Sequence, residues 1–277
     1  MMSGMIALRL LVYGVTAYCA VGAFFYFQQS KLLFPAPKTW PNTTPSDSGL
    51  AFEDLHIQGV HAWWIPHSVD AKTAIVFHGN GYVIEDMVGS ELTAVRALGL
   101  NLLLVDYRGY GGSSPLTPNE TTILEDADAA LHYLVNTRGI RPANVFVIGR
   151  SIGSGPAVYL AAKHANLAGL ILESPFSSID DAARAIPYLR IYPVGLMLRT
   201  HFDNLSRIAS VRAPVFITVG SADDLTPPWM ARKLFDRANE PKKLMVIDSA
   251  GHNDLIETGS VALRDVLLDY LSGKVNR

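Results

Sequence analysis

Ser151 stands in Gly149-Arg150-Ser151-Ile152-Gly153, directly after the apolar run Val145-Phe146-Val147-Ile148 and directly before the small-residue stretch Ser154-Gly155-Pro156-Ala157-Val158. A strand that enters a helix through Gly-x-Ser-x-Gly turns too tightly to accept bulk beside the serine, and the turn holds the hydroxyl out over the sheet. That is how a serine nucleophile is presented. In a chain with 22 glycines the five residues alone say little, so their meaning depends on partners elsewhere. A serine hydroxyl needs a base that titrates near neutrality, and the base needs a carboxylate to orient it and stabilise its cation.

Of the eight histidines, His252 has the setting of such a base. It lies in Ser249-Ala250-Gly251-His252-Asn253-Asp254, after the strand-like Lys243-Leu244-Met245-Val246-Ile247 and before a C-terminal amphipathic segment. The carboxylate is expected just beyond the apolar run Val215-Phe216-Ile217-Thr218-Val219, where Asp223 fits the strand end. Spacing does not separate it from Asp224, and an aspartate or Thr226 there could instead cap a helix starting near Pro228. Glu173, closing Leu170-Ile171-Leu172, is a poorer alternative acid. Thr73-Ala74-Ile75-Val76-Phe77 ends in His78-Gly79-Asn80-Gly81, a glycine-rich turn that can offer the Asn80 backbone N–H to an oxyanion, paired with that of Ile152. His78 is read as a hydrogen-bonding brace of that turn and not as a second base.

These groups need a frame. Residues 101–106 are strand-like, whereas 123–134 show helical spacing, and this alternation recurs along the chain. It predicts a mainly parallel, doubly wound α/β sheet covered by helices on both faces, with its active site at the carboxyl ends of the strands. All four elements above fall there. Residues 52–58 and 62–66, parted by a turn at Gly59, are expected to add an antiparallel edge. Residues 35–49, with four prolines, read as an extended connector, and Asn42-Thr43-Thr44 is a glycosylation sequon. The order serine, aspartate, histidine is that of α/β-hydrolases.

Residues 10–27 carry no charge, and as a helix they would extend about 27 Å, close to the apolar thickness of a bilayer. Phe24-Phe25-Tyr26-Phe27 follows as an aromatic belt before Lys31. A cleaved signal peptide is the competing reading, but the apolar stretch exceeds the usual core of one and ends in bulky aromatics. An uncleaved single-pass N-terminal anchor over residues 1–28 is therefore expected, followed by a hydrolase domain over 29–277. Positive charge is nearly balanced across the segment, and its lone cysteine, Cys19, leaves no intrachain disulfide to report the compartment.

Taken together, His78-Gly79-Asn80, Asp106-Tyr107-Arg108-Gly109-Tyr110-Gly111, the elbow at Ser151, Glu173-Ser174-Pro175-Phe176, the Asp223 turn ending in Pro227-Pro228, and Gly251-His252-Asn253-Asp254 resemble the Bem46-like α/β-hydrolases, membrane-anchored serine hydrolases related to ABHD-type proteins. The similarity runs from about residue 31 to 271. It implies the α/β-hydrolase fold, the triad Ser151, Asp223 and His252, and a catalytic domain on the non-cytoplasmic side; it implies no substrate.

Between the sixth strand and the acid turn, residues 176–212 are expected to form a short cap, whose apolar, twice proline-broken centre either lines an acyl pocket or packs as short helices on the core. An insertion of about 35 residues predicts no deep enclosed pocket. No zinc-type histidine spacing, P-loop or dinucleotide fingerprint occurs, so no metal and no cofactor is implied. A net charge of −2 gives nucleic-acid binding no support. The expected activity is hydrolysis of an ester or thioester of a small-molecule or lipid-like acyl substrate. A peptidase of prolyl-oligopeptidase type and a catalytically silent membrane scaffold are the alternatives.

Overall fold

The computed structural model describes residues 2–37 and 39–274, without the side chains of 2–4 and 260. Eight strands form one sheet: β1 (Glu53–Ile57), β2 (Val60–Ile65), β3 (Thr73–Phe77), β4 (Asn101–Val105), β5 (Val145–Arg150), β6 (Gly169–Glu173), β7 (Val215–Gly220) and β8 (Lys242–Ile247). Their order is β1-β2-β4-β3-β5-β6-β7-β8. β1 and β2 form an antiparallel edge hairpin, β2 joins β4 antiparallel, and every later pairing is parallel. The mainly parallel α/β sheet expected from the alternation of runs is thus present, with the antiparallel edge in place.

Nine helices are described: α1 (Met2–Leu33), α2 (Ser90–Arg96), α3 (Glu120–His132), α4 (Ser154–Lys163), α5 (Ile179–Ala185), α6 (Val194–Met197), α7 (Asn204–Ile208), α8 (Pro228–Arg237) and α9 (Leu255–Leu271). The central strands read as unbroken apolar runs because both faces of the sheet are covered. Side chains alternate across it: Ile75, Phe77, Val147 and Ile217 enter the core under α3, α4 and α8, whereas Ala74, Val76, Ile148 and Phe216 enter the core under α2 and α9. The helix expected over 123–134 is α3; it starts three residues earlier because Asn119 Oδ1 accepts the Thr122 amide at 3.2 Å and caps it. At the opposite end of the sheet from the elbow, the Tyr270 hydroxyl meets the Leu170 amide at 3.1 Å and the Pro214 carbonyl at 2.7 Å, tying α9 to β6 and β7.

α1 is long and apolar enough over Met5–Leu33 to cross a membrane, and only 6% of its most apolar stretch is buried by the rest of the chain. It continues past residue 28, and its last turns lie on the catalytic domain. Phe34 follows α1 directly and is buried in the core, 6.3 Å from the Phe202 ring. The proline-rich segment after it is held to the domain by the Thr43 hydroxyl on the Glu85 carbonyl, 3.0 Å, and by a short turn at Pro45–Ser48.

Candidate active site

β5 ends at Arg150, Ser151 takes a left-handed φ of 50°, and one tight turn leads into α4. A non-glycine residue holds that conformation only where its surroundings enforce it. Here the two glycines make the approach possible. A Cβ on Gly149 would fall 2.6 Å from the Ala157 Cβ, and one on Gly153 would lie 2.7 Å from the Phe77 carbonyl carbon. Larger residues would push β5, α4 and β3 apart.

His252 is brought to the serine by the loop after β8, with its Nε2 3.0 Å from Ser151 Oγ and its Nδ1 2.8 Å from Asp223 Oδ2. Asp223 is buried, whereas Asp224 is exposed on the pocket rim. The bond to the imidazole therefore belongs to Asp223, although spacing had left the two equivalent. Asp223 Oδ1 also accepts the amides of Leu225 and Thr226, at 3.0 and 2.8 Å, and the Thr226 hydroxyl donates to Oδ2 at 2.9 Å. Burial would raise this carboxyl, but the hydrogen bonds from His252 and the Thr226 amide, with the histidine's charge, hold it below the ordinary carboxylate value. Thr226 was not singled out for this place in the sequence, where a threonine before two prolines reads as a helix cap. Its Oγ1 lies 3.1 Å from His252 Nδ1 and 3.0 Å from the Ser174 carbonyl, so it fastens the acid turn to β6.

Glu173 makes no part of this chain. It ends β6 beside Arg150, its partner across the sheet, and burial together with the charge of Glu91 pushes its carboxyl up to about 7 against the pull of Arg150. Arg150 spans the back of the elbow, donating to Glu91 Oε2 at 2.9 Å and to Asn253 Oδ1 at 3.2 Å, which links α2 to the histidine loop. The loop is closed by the Gly251 amide on Asp254 Oδ1, 2.6 Å.

The turn after β3 lies against Ser151, since a Cβ on Gly79 would be 3.7 Å from the Ser151 Cβ. Asn80 and Ile152 both face the pocket that holds Ser151, and Asn80 Oδ1 accepts the Tyr110 hydroxyl at 3.1 Å. His78 is buried; its Nδ1 lies 2.8 Å from the Gly79 carbonyl and its Nε2 3.3 Å from Asp106 Oδ1. Asp106 is fully buried and also takes the Ile84 amide at 3.0 Å and His61 Nδ1 at 3.3 Å. His61, Glu85 and Asp106 are the group among the described residues whose ligand atoms come within 4.8 Å of one another. Asp106 is engaged by His61, His78 and the Ile84 amide, and these three contacts brace the turn.

A pocket of about 530 Å³ opens over Ser151. The cap contributes Ile179, Ile186, Leu189, Tyr192 and Val194, and α1 contributes Phe25, Gln29, Leu32 and Leu33. The first half of the cap thus lines the pocket, while α7 packs on α4 through Asn204 Nδ2, 3.2 Å from Ser154 Oγ and 3.1 Å from the Phe176 carbonyl. α1 thus supplies one wall of the pocket, with Phe25 from the expected anchor and Gln29, Leu32 and Leu33 from just beyond it.

Residues 71–202 match the family model described as serine aminopeptidase, S33. An uncharacterized protein of Mycobacterium tuberculosis is 34% identical over 251 residues, covering 88% of each chain. The human α/β-hydrolase domain-containing protein 17B is 33% identical over 193 residues, 68% of this chain and 63% of its own. Among solved structures, a Pyrococcus furiosus esterase superposes with a TM-score of 0.71 at 21% identity, over 86% of this chain and 98% of its own, a likeness of fold. A serine, a histidine and a buried aspartate in hydrogen-bonded series at the top of such a sheet, with relatives of this extent, identify the chain as a member of the α/β-hydrolase domain-containing, Bem46-like family of hydrolases.

Proposed function

We propose that the protein is a membrane-anchored serine hydrolase that cleaves an ester or thioester through an acyl-enzyme. The observation that carries the reading is the unbroken series Ser151 Oγ to His252 Nε2, 3.0 Å, and His252 Nδ1 to Asp223 Oδ2, 2.8 Å, beneath an apolar pocket. Ser151 Oγ attacks the acyl carbonyl as its proton passes to His252 Nε2, and the carbonyl π electrons move to oxygen. The backbone amides of Asn80 and Ile152 are assigned to that oxyanion. Collapse expels the alkoxide or thiolate, which takes the proton from His252; water, deprotonated by the same nitrogen, then adds to the acyl carbon, the bond to Ser151 Oγ breaks, and Oγ recovers the proton from His252 as the acid leaves. Asp223 keeps the Nδ1 proton in place and stabilises the imidazolium.

The family description favours a second reading, cleavage of an N-terminal aminoacyl amide. Against it stands the lining beside Ser151, which is dominated by Phe25, Ile152, Ile186 and Leu189 and suits an acyl chain. Fluorophosphonate labelling of the full-length protein tests the reading. Wild type should be labelled and Ser151→Ala should not; absent labelling would leave a silent scaffold, and labelling that survives the substitution would overturn Ser151 as the nucleophile. Acyl esters, acyl thioesters and aminoacyl amides offered in parallel then separate the two hydrolytic readings.

A further inference from the structure

α1 does more than lead up to the domain. The Tyr18 ring stacks on Tyr192 of the cap at 4.6 Å, its hydroxyl donates to the Ile191 carbonyl at 2.9 Å, and the Tyr192 hydroxyl returns to the Tyr18 carbonyl at 3.3 Å. One turn further on, Gly22 is buried under Tyr192 and Met197, where a Cβ would come within 3.1 Å of the ring. Below that, Gln29 is buried and clasps the cap from both of its amide atoms, receiving the Arg199 amide at 2.7 Å and donating to the Met197 carbonyl at 3.1 Å. The contacts therefore follow α1 from Tyr18 to Gln29, about 16 Å of helix at 1.5 Å per residue. That is about half the apolar thickness of a bilayer.

The outer face of the same cap is uncovered and carries three exposed apolar side chains, with the guanidinium groups of Arg184 and Arg190 beside Leu196. Tyr188 is 64%, Ile191 66% and Leu196 87% exposed. Arg199 sits at the other end, over the Tyr26 ring at 5.2 Å, level with the point where the uncharged run of α1 gives out. Exposed apolar side chains beside a membrane-length helix, with the Arg199 guanidinium beside its aromatic belt, favour contact of this face with one leaflet. Between helix and cap lies the pocket that reaches Ser151.

Building on the proposal of an anchored serine hydrolase, we infer that the cap is sunk in the adjoining leaflet alongside α1, and that the substrate is a bilayer-resident long-chain acyl ester or thioester whose chain passes from the lipid between α1 and the cap to Ser151. α1 is then a wall of the acyl site and a determinant of chain length. Short soluble esters reach Ser151 from the aqueous side and need neither the lipid nor that wall.

Two readings on the full chain in phosphatidylcholine vesicles test this. With Cys19→Ser as background, an environment-sensitive fluorophore on Leu196→Cys should be quenched by lipids bearing a nitroxide on the acyl chain, while the same label on Val69→Cys, at a fully exposed loop, should not. Equal quenching at the two sites overturns the leaflet position. Leu32→Trp, which fills the helix side of the pocket, should lower turnover of a sixteen-carbon thioester in the vesicles about tenfold more than turnover of a butyryl ester. An unchanged ratio overturns the role of α1 in the acyl site. Fluorophosphonate labelling of the same samples separates the failures: quenching without labelling removes the hydrolase and leaves the immersed cap, whereas labelling without quenching does the reverse.

Discussion

Replacing Asp223 by asparagine puts the proposed mechanism at its most exposed point. The aspartate accepts from four donors: His252 Nδ1 and the Thr226 hydroxyl on Oδ2, the Leu225 and Thr226 amides on Oδ1. Asparagine can keep its Oδ1 on the two amides, so the turn should survive. Its NH₂ then faces His252 Nδ1 and donates to it, which drives the ring proton to Nε2. That nitrogen, 3.0 Å from Ser151 Oγ, becomes a donor where the reaction needs an acceptor. The variant also loses the attraction between carboxylate and imidazolium, whose ceiling at 2.8 Å and an effective dielectric constant of about 20 is about 6 kcal/mol. Tautomer and charge together should cost about 4–5 kcal/mol of transition-state stabilisation, or roughly 10³–10⁴-fold in kcat. Steady-state hydrolysis of a butyryl ester measures this, with the melting temperature as a check that the turn is intact. Asp224→Asn, altering an exposed neighbour with no bond to the histidine, should stay within about threefold of wild type. Should Asp223→Asn keep more than a tenth of the activity, or Asp224→Asn fall as far, the assignment of the acid is wrong.

Thr226→Val removes the hydroxyl that reaches Asp223 Oδ2 and the Ser174 carbonyl, and should lower kcat about tenfold, an effect of about 1.4 kcal/mol, while fluorophosphonate labelling persists at a reduced rate. Glu173 has a folded-state carboxyl raised from 4.5 to about 7, so the folded protein holds a proton that the unfolded chain has released between those values, and stability falls as pH rises through that window. Removing that penalty with Glu173→Gln should make the variant's gain over wild type about 3 kcal/mol larger at pH 8 than at pH 4, read from urea unfolding; a pH-independent difference would contradict the raised carboxyl.

How far the sequence could be read depended on whether each feature was local. The elbow at Ser151 is a local problem of backbone space, stated in full by two glycines, an apolar run before them and small residues after, and it was legible residue by residue. The sheet followed from the same kind of signal, since buried parallel strands are unbroken apolar runs. Asp223 and Asp224 could not be told apart by spacing, because which carboxyl turns inward depends on the amides of Leu225 and Thr226 folding back upon it. Thr226 itself carries no signature, as a capping threonine and one that fastens the acid turn look alike. The brace of His61, His78 and Asp106 joins β2, β3 and β4, whose adjacency is a property of strand order. The inner wall of the pocket was least visible of all: Phe25 read as part of the anchor's aromatic belt, and Gln29 and Leu33 fell just past the expected anchor with nothing local to show that they face the pocket.

The absence of slack between α1 and the core carries a mechanical consequence. Phe34, one residue past the helix, is already buried against Phe202. A flexible tether would let a domain tumble above its anchor, but here any rotation of the helix must be shared by the whole sheet. A transmembrane helix meets a change in bilayer thickness by tilting. With α1 in a membrane as proposed, a thicker or thinner bilayer would therefore rotate the catalytic domain as a rigid lever and change the height of Ser151 above the lipid.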